Sequence, residues 1–268
     1  MAIIYSKDGT PIAYWHSGVG TPLLLVHGST EDHFAWESVL PALEPYFSLY
    51  VLDRRGRGCS GDGAVYTFER EWEDIATVID AIGGPVDIVG HSFGGTCALE
   101  AARLSANIHR MILYEPPMPF GKRYWPLEFS KRMQAYLDAG KAEQALLLFF
   151  TEIANKPPHE INAAQASTMW PERIATVNTV PRELQSLDGY VFDPRQFRTI
   201  RTPIMIFLGS ESPSFIKNDM KRLCAMLPSC QIMVLVGQQH VAMQTAPDLF
   251  AQEVIKFLTT TSGTIGID

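Results

Sequence analysis

The 268-residue chain lacks the features that would assign it to a membrane or to nucleic acid. No apolar run approaches the roughly 20 residues needed to cross a bilayer. The formal net charge of -7 is spread along the chain, without a basic stripe. The first residues, Met1 to Lys7, lack the basic start and the apolar stretch of a signal peptide. We therefore expect a cytoplasmic protein, a monomer or homodimer, with no nucleic-acid or membrane partner.

Cysteine is scarce as well, and the four residues are Cys59, Cys97, Cys224 and Cys230. Their spacing matches no metal-ligand pattern, so it predicts no metal site. We expect reduced, partly buried thiols, with a bridge between Cys224 and Cys230 only in an oxidising compartment.

Hydrophobic residues make up 46% of the chain, enough for a large core in one domain or in one domain with an insertion. Six short runs are apolar without alternation, which is typical of strands covered on both faces in a parallel sheet. The runs are Leu23–Val26, Leu49–Leu52, Val86–Val89, Met111–Tyr114, Ile204–Leu208 and Ile232–Val236. Two further strands, near Ile3–Tyr5 and Ile12–His16, are predicted to form an antiparallel hairpin through Asp8–Thr10.

Helical patterns occupy most of the remaining chain. Apolar residues at helical spacing form five stripes, which are Trp36, Val39, Leu40 and Leu43; Trp72, Ile75, Ile79 and Ile82; Phe129, Met133, Tyr136 and Leu137; Leu146, Phe149, Phe150 and Ile153; and Phe250, Val254, Phe257 and Leu258. Strands that alternate with helices predict an α/β sandwich with right-handed crossovers.

The alternation stops between residues 116 and 201, where only helical patterns occur. The helix that contains Phe149 and Phe150 is apolar over more than half its circumference, so it requires burial on two sides or lines an apolar cavity. We interpret residues 116–201 as a helical lid inserted into a core of residues 1–115 and 202–268. The tail of residues 259–268, rich in Thr, Ser and Gly, is expected to fray.

The most informative motif is Gly90-His91-Ser92-Phe93-Gly94, between a predicted strand and a predicted helix. This G-x-S-x-G pattern in that context is typical of a nucleophile elbow. The turn is so tight that Ser92 takes strained backbone angles, and a side chain at Gly90 or Gly94 would clash. Ser92 is therefore the candidate nucleophile, with its hydroxyl exposed at the tip of the turn.

A serine hydroxyl is a poor nucleophile until a base accepts its proton, so Ser92 needs a histidine. His240 follows the last predicted strand and precedes the last predicted helix. In a parallel sheet such a loop opens at the same carboxyl edge as Ser92. The remaining histidines occur without such a placement, and His240 is therefore the predicted base.

Three further segments accompany Ser92: His27-Gly28 after the third strand, Asp53–Ser60 after the fourth, and Gly237–His240 after the last. Their order and spacing, which cover the chain outside the lid, resemble the α/β-hydrolase superfamily. The resemblance implies a three-layer α/β sandwich with a mostly parallel eight-stranded sheet and an inserted helical cap. It also implies a catalytic triad in the order nucleophile, acid, histidine. The charges of Asp53 and of Arg54 to Arg57 are interpreted as ties between loops beneath the site.

The acid departs from the usual pattern of this superfamily, an aspartate three residues after the glycine that follows the seventh strand. Here Ser212 stands in that place after Gly209. Glu211 is one candidate acid, one position away. Glu115 is the other: it follows the sixth strand, the place from which some members, haloalkane dehalogenases among them, take their acid. We favour Glu115 because burial of a carboxylate there is costly without a function, against the simpler interpretation of a partly exposed residue that starts the lid.

The resemblance also implies an oxyanion hole formed by the backbone amides of Phe93 and Ser29, with Thr30 as the second choice for the latter. The predicted pocket lies between Ser92 and the lid. Its candidate lining residues are Phe34, Phe93, Met118, Phe120, Phe149, Phe150 and Met243. Such a wall suits a small to medium-sized apolar group of a small-molecule substrate. No metal or organic cofactor is expected.

These features predict a serine hydrolase that cleaves an ester, or a lactone, through an acyl-enzyme. The same scaffold also supports amide, carbon–carbon and peracid chemistry, because function resides in the site and not in the fold. A serine at position 92 argues against a dehalogenase, whose covalent intermediate needs a carboxylate there. The alternative from another functional class is a non-catalytic ligand receptor. The lack of an aspartate at position 212 supports this alternative, and the presence of Ser92 and His240 argues against it.

Overall fold

The computed structural model describes residues 1–121 and 125–260, and this part of the chain contains eight strands. They are β1 (Ala2–Tyr5), β2 (Pro11–Gly18), β3 (Thr21–Val26), β4 (Phe47–Leu52), β5 (Val86–His91), β6 (Ile108–Tyr114), β7 (Ile204–Gly209) and β8 (Cys230–Leu235). Each run that the sequence predicts as a strand overlaps one of them.

The strands form one sheet in the order β1-β2-β4-β3-β5-β6-β7-β8. β1 and β2 pair antiparallel, from Ala2 opposite Tyr14 to Tyr5 opposite Pro11, which confirms the predicted hairpin. β2 is also antiparallel to β4, and every other pairing is parallel. The carboxyl ends of β3 to β8 therefore open at one edge, where ligands bind in open α/β sheets.

The described residues contain eleven α-helices. They are α1 (Leu40–Leu43), α2 (Phe68–Ile82), α3 (Ser92–Ala101), α4 (Leu127–Asp138), α5 (Ala142–Glu152), α6 (Pro158–Gln165), α7 (Trp170–Thr176), α8 (Val180–Gly189), α9 (Ser214–Met226), α10 (Ala242–Thr245) and α11 (Pro247–Thr259). Helices α4 to α8, here called the cap, lie between β6 and β7, and the described residues of that segment contain no strand.

Two apolar layers cover the faces of the sheet. Because successive residues of a strand point to opposite faces, Ile88 packs on one side with Ile75 of α2. Its neighbour Val89 packs on the other side with Phe250 of α11. The cap shares the side of α2 and α3. The arrangement is a three-layer sandwich, with the helices α1 and α11 on the side away from the cap.

Four of the five predicted helical stripes lie in α2, α4, α5 and α11 or at their ends. The stripe from Trp36 to Leu43 is broken, and the expectation of one continuous helix is wrong. A 3-10 helix, His33–Trp36, precedes the single turn of α1. Pro41 has no N–H and fits only the first turn of a helix, so a new helix begins at Leu40. Trp36 and Leu43 are nevertheless fully buried.

Cys224 and Cys230 form a disulfide, with their Cα atoms 5.2 Å apart. The expectation of reduced thiols is therefore wrong for this pair. The chain turns back between α9 and β8, which brings the end of the helix beside the start of the strand. Cys59 and Cys97 are free, the first exposed and the second buried.

The last described helix, α11, ends at Thr259. Residues 261–268, most of the tail expected to fray, lie outside the described residues. Within the described ranges, every helix is too short or too polar to span a membrane.

Candidate active site

β5 runs directly into α3, and Ser92 is the first residue of that helix. Its φ of 51° lies in the left-handed region, which residues other than glycine rarely adopt. A Cβ on Gly94 would lie 2.2 Å from the carbonyl oxygen of His27, and one on Gly90 would lie 2.7 Å from Cα of Gly95. The predicted tight and strained turn is confirmed, and Gly94 lets the elbow contact the backbone that leaves β3.

His240, in the loop after β8, is hydrogen-bonded to Glu115, with 2.7 Å between Nδ1 and Oε2. The other oxygen of this carboxylate accepts the N–H of Gly209 at 2.8 Å and the hydroxyl of Ser212 at 2.5 Å. Ser92, His240 and Glu115 all line one cavity. The structure thus brings together the three residues that the sequence singles out for catalysis.

Glu115 directly follows β6, is 2% exposed and has a left-handed φ of 43°. Burial acts to raise its pKa, but His240, Ser212 and Gly209 stabilise the carboxylate, and the balance lowers the pKa of Glu115. An ionised Glu115 favours the tautomer of His240 with its proton on Nδ1. Nε2 of the imidazole is then left to accept a proton.

The other candidate acid, Glu211, lies elsewhere. It is exposed, and its Oε1 accepts the hydroxyl of Ser210 at 3.0 Å. Ser212, one position further along the chain, is 3% exposed and contacts Glu115. Ser212 therefore supports a carboxylate that arrives from the neighbouring strand.

Two residues next to the elbow and the acid anchor the loop that carries His240. Nε2 of His91 donates to the carbonyl oxygen of His240 at 2.8 Å. The hydroxyl of Tyr114 donates to the carbonyl of Gln239 and accepts the N–H of Ala242 at 3.1 Å. The backbone is therefore held on both sides of the imidazole. The sequence alone does not single out His91 or Tyr114, because their partners lie far away along the chain.

The loop after β3 faces the elbow. Ser29 and Phe93, whose backbone amides are the predicted oxyanion donors, both line the cavity that contains the Ser92 side chain. In the same loop Thr30 has a left-handed φ of 58°. The N–H of Gly28 donates to the carboxylate of Glu31 at 3.1 Å, which fixes the start of the loop. The role of the two amides stays a prediction.

A buried cluster of charges joins this loop to the cap. Glu183 of α8 accepts the hydroxyl of Ser29 at 2.5 Å on Oε2, and on Oε1 it accepts Arg54 at 2.5 Å and Arg57 at 2.8 Å. Arg54 also binds both carboxylate oxygens of Glu71. Burial acts to raise the pKa of Glu183, but the two guanidinium groups outweigh it and lower the pKa to about 2. The arginines do tie loops together beneath the site. Their partner in the cap, Glu183, is not predicted from the sequence.

Asp53 also holds loops together. Its carboxylate accepts the backbone N–H of His33 at 2.9 Å and that of Cys59 at 3.0 Å. It is fully buried. These contacts fix the chain after β4 and agree with the structural interpretation of this residue.

The cavity in front of Ser92 has a volume of about 120 Å³. Residues before and within the cap, together with α9, supply an apolar wall of Trp125, Phe149, Phe150, Ile153, Ala154, Leu184, Leu187, Phe215, Ile216 and Met220. Three of the predicted lining residues, Phe93, Phe149 and Phe150, line this cavity.

Four predicted lining residues lie away from the described wall of this cavity. Phe34 is 44% exposed. Phe120 packs against Phe192, with ring centroids 6.0 Å apart. Met118 and Met243 are fully buried in the two core layers on opposite sides of the sheet. Apolar character alone does not separate these residues from cavity walls, because cores and pockets are built from the same side chains.

A family model described as the alpha/beta hydrolase family matches residues 23–253. The chain belongs to the alpha/beta hydrolase family. A solved alpha/beta hydrolase from Sphaerobacter thermophilus is 33% identical, with a TM-score of 0.85 over 96% of this chain and 100% of its own.

Two curated relatives of this alpha/beta hydrolase have named activities. N-formylmaleamate deformylase from Pseudomonas putida is 35% identical over 116 residues, 41% of this chain and 43% of the deformylase. The chain thus matches less than half the length of the first curated relatives. A putative carbamate hydrolase from Caulobacter is 24% identical over 276 residues, 94% of this chain and 98% of that protein.

The cavity of this alpha/beta hydrolase also contains two cations that no sequence motif indicates, Lys156 after α5 and Arg173 on α7. Both lie in the helical segment between β6 and β7, where periodicity predicts helices but not which charged residue faces a cavity. In residues 1–121 and 125–260, no cluster of three or more His, Cys, Asp or Glu side chains is arranged to hold a metal ion.

Proposed function

We propose that this alpha/beta hydrolase is a serine hydrolase that cleaves a carboxylic ester or lactone through an acyl-enzyme. The observation that carries the proposal is the 2.7 Å hydrogen bond between His240 and the buried Glu115, in a cavity that Ser92 also lines. A nucleophile at a strained turn, a base and an acid that orients the base are the parts that acyl transfer requires.

In the proposed reaction, Oγ of Ser92 attacks the ester carbonyl while Nε2 of His240 accepts the hydroxyl proton. The carbonyl oxygen becomes an oxyanion, which the N–H groups of Ser29 and Phe93 stabilise. His240 then donates the proton to the leaving alcohol as the carbon–oxygen bond breaks. Water, deprotonated by His240, attacks the acyl-enzyme and releases the acid and free Ser92.

Glu115 acts through His240 in this scheme. Its lowered pKa keeps the carboxylate ionised at neutral pH, so it stabilises the imidazolium that forms when Ser92 loses its proton. The N–H of Gly209 and the hydroxyl of Ser212 hold the carboxylate oxygen that faces away from the imidazole.

The cavity supports a substrate of small to medium size. Its volume of about 120 Å³ and its wall of aromatic and aliphatic side chains suit an apolar acyl or alcohol group close to Ser92. The polar groups that face the ester in this scheme belong to the elbow, the loop after β3 and His240.

Cleavage of a carbon–nitrogen bond is the second candidate, and the names of the deformylase and carbamate hydrolase relatives favour it. The attack by Ser92 is the same, and His240 protonates a leaving nitrogen in place of an oxygen. A non-catalytic receptor has no need of an ionised acid behind His240. The hydrogen bond to Glu115 therefore supports an enzyme.

The test combines active-site labelling with a substrate panel. A fluorophosphonate probe is expected to label the wild-type protein and not Ser92→Ala. Both proteins are then assayed with para-nitrophenyl esters, lactones and para-nitroanilides of matched acyl groups. Ester or lactone turnover that Ser92→Ala abolishes supports the proposal, and turnover of amides alone supports the second candidate. A protein that neither reacts with the probe nor turns over any substrate contradicts both and indicates a receptor.

A further inference from the structure

Two cations in the wall of the cavity approach the same aromatic ring. Nζ of Lys156 is 5.5 Å from the ring centroid of Phe150, and Cζ of Arg173 is 5.7 Å from the same centroid. All three residues line the cavity, together with the apolar wall of the cap. Positive groups near the face of an aromatic ring are stabilised by its π electrons, but the ring does not neutralise them.

The local backbone fixes the position of Lys156. After α5, Asn155 takes a left-handed φ of 48°, and the N–H of Lys156 donates to the carbonyl of Phe150 at 2.9 Å. A residue in the left-handed conformation just after the last turn is a common way to end a helix. Pro157 and Pro158 then begin α6. The ammonium group is thus presented to the cavity by a fixed turn.

Lys156 is incompletely paired. Its ammonium group has three N–H donors, and its one ion pair within residues 1–121 and 125–260 is with Glu160 of α6, at 3.3 Å. Its side chain is only 10% exposed, so water replaces few of the missing bonds. Burial lowers the pKa of Lys156, more than the nearby Glu160 offsets. An anion in the cavity would therefore stabilise the charged form.

Arg173 is incompletely paired as well. Its Nη1 lies 3.4 Å from two oxygens of Thr30, and its Nη2 lies 3.3 Å from Oε1 of Glu31. These distances are long for charge-assisted hydrogen bonds. Nε of Arg173 is buried and has no hydrogen-bond partner among the described residues. The guanidinium retains capacity for a further acceptor.

Glu31, the carboxylate that contacts Arg173, also binds donors other than this guanidinium. Glu31 also accepts the N–H of Gly28 at 3.1 Å, contacts His91 at 3.1 Å and accepts Gln244 at 3.2 Å. Its charge is therefore shared among several donors. The other acidic residues in the wall are Glu115, which holds His240, and Asp219 of α9.

We infer that the cavity selects substrates that carry a carboxylate, bound between Lys156 and Arg173 at a distance from the bond that Ser92 attacks. The inference deepens the proposed function, on which it rests, because it specifies the charge of the ester substrate. Ammonium and guanidinium groups donate several N–H bonds to a single carboxylate, and the apolar wall between the cations and Ser92 suits the carbon chain that joins the two ends.

Matched pairs of esters test this selection. Para-nitrophenyl hydrogen adipate and para-nitrophenyl hexanoate share chain length and leaving group, and only the adipate ester has a terminal carboxylate on the acyl side. Para-acetoxybenzoate and its methyl ester make the same comparison on the alcohol side. In one of the two pairs, kcat/KM of the wild type is expected to favour the anionic ester by about tenfold or more.

Substitutions of Lys156 and Arg173 test whether these two side chains cause the preference for the anionic ester. The preference for the anionic ester is expected to fall by about tenfold in Lys156→Gln and to recover in part in Lys156→Arg. Arg173→Gln is expected to lower the preference too, but Lys156 is the cleaner site because Arg173 also contacts the loop of Thr30. Lys131→Gln is the matched control, since that side chain is 66% exposed on α4, and it is expected to keep the wild-type preference.

The outcomes separate this inference from the proposed function. Ester turnover without a preference for either anion, or a preference that Lys156→Gln leaves intact, overturns the inference alone. If no ester is cleaved, calorimetric titration with adipate measures whether the cavity binds a carboxylate. Binding that Lys156→Gln weakens by about tenfold supports the inference while it contradicts the proposed function. The absence of both turnover and adipate binding overturns both.

Discussion

The hydroxyl of Ser212 lies 2.5 Å from Oε1 of Glu115, whose other oxygen binds Nδ1 of His240. Ser212 stands where the resemblance leads one to expect an aspartate. It has become a hydrogen-bond donor to the acid that the neighbouring strand, β6, supplies. The carboxylate that binds His240 thus follows β6, the strand that pairs with β7.

Replacement of Glu115 tests its place behind His240. Glu115→Gln is expected to lower kcat by roughly 10⁴, because the amide permits the wrong tautomer of His240 and does not stabilise the imidazolium. Glu211→Gln is the matched control, since Glu211 is exposed. Steady-state ester hydrolysis by both variants provides the measurement. A normal rate in Glu115→Gln together with a collapsed rate in Glu211→Gln would reverse the assignment.

Removal of the Ser212 hydroxyl is expected to shift the acid limb of the pH–rate profile. The hydroxyl stabilises the ionised carboxylate and so helps to lower the pKa of Glu115. In Ser212→Ala the pKa of Glu115 is expected to rise, so the carboxylate that orients His240 is protonated, and activity is lost, at a higher pH than in the wild type. Profiles of kcat/KM from pH 4 to pH 9, at roughly half-unit steps, measure the shift. The hydroxyl of Ser210 contacts Glu211 and Gly237 and, among the described residues, makes no hydrogen bond to Glu115. Ser210→Ala is therefore the control and is expected to leave the pH–rate profile unchanged.

Glu183 is expected to contribute strongly to stability. Glu183→Gln removes the carboxylate that Arg54 and Arg57 share. Removal of one partner of a buried ion pair typically lowers the free energy of unfolding by about 3–5 kcal/mol. Urea unfolding at neutral pH measures the change in the free energy of unfolding. Glu128→Gln, on the exposed surface of α4, is the control, and an equal loss in the two variants would contradict a special role for Glu183.

Glu183 is also expected to account for part of the loss of folding stability at low pH. The pKa of Glu183 is lowered from 4.5 to about 2 in the folded protein. Its contribution is therefore complete above the unfolded value and is lost as the pH falls from about 4.5 towards 2. If Glu183→Gln is too unstable for study, the decline of wild-type stability over this window provides the measurement. Stability that rises on acidification through this window would refute the assignment.

Two of the four cysteines are expected to react as free thiols and two to be protected by a disulfide. In denaturant without reductant, a thiol-reactive chromophore is expected to titrate two groups, Cys59 and Cys97, because Cys224 and Cys230 are bridged. After reduction it titrates all four cysteines of the chain. Four reactive thiols before reduction would mean that the bridge is absent.

Much of the fold follows from the sequence because its signals are local. Apolar runs without alternation mark β3 to β8, and Gly-x-Ser-x-Gly after such a run marks the elbow at Ser92. Placement at the carboxyl end of a strand also favours His240 and, together with the resemblance, Glu115, whose catalytic roles stay predictions. The broken stripe after Trp36 shows the limit of periodicity, because a single proline at position 41 restarts the helix.

The contacts that the sequence does not reveal join distant residues. Glu183 meets Ser29 across 154 positions and Arg54 across 129, and neither spacing belongs to a recurring pattern. Which aromatic residues line the cavity depends on how the cap sits on the sheet, so Met118 and Met243 could not be told from wall residues by composition. Lys156 and Arg173 line the cavity because of where the segment after α5 and helix α7 lie in space, which periodicity does not predict.

The bond between Glu183 and the Ser29 hydroxyl has a consequence for attempts to shorten the chain. Trimming away α4 to α8 to obtain a minimal hydrolase would strip Arg54 and Arg57 of their common counter-ion and release the loop after β3. Through the carboxylate of Glu183, the cap therefore helps to hold the core domain together.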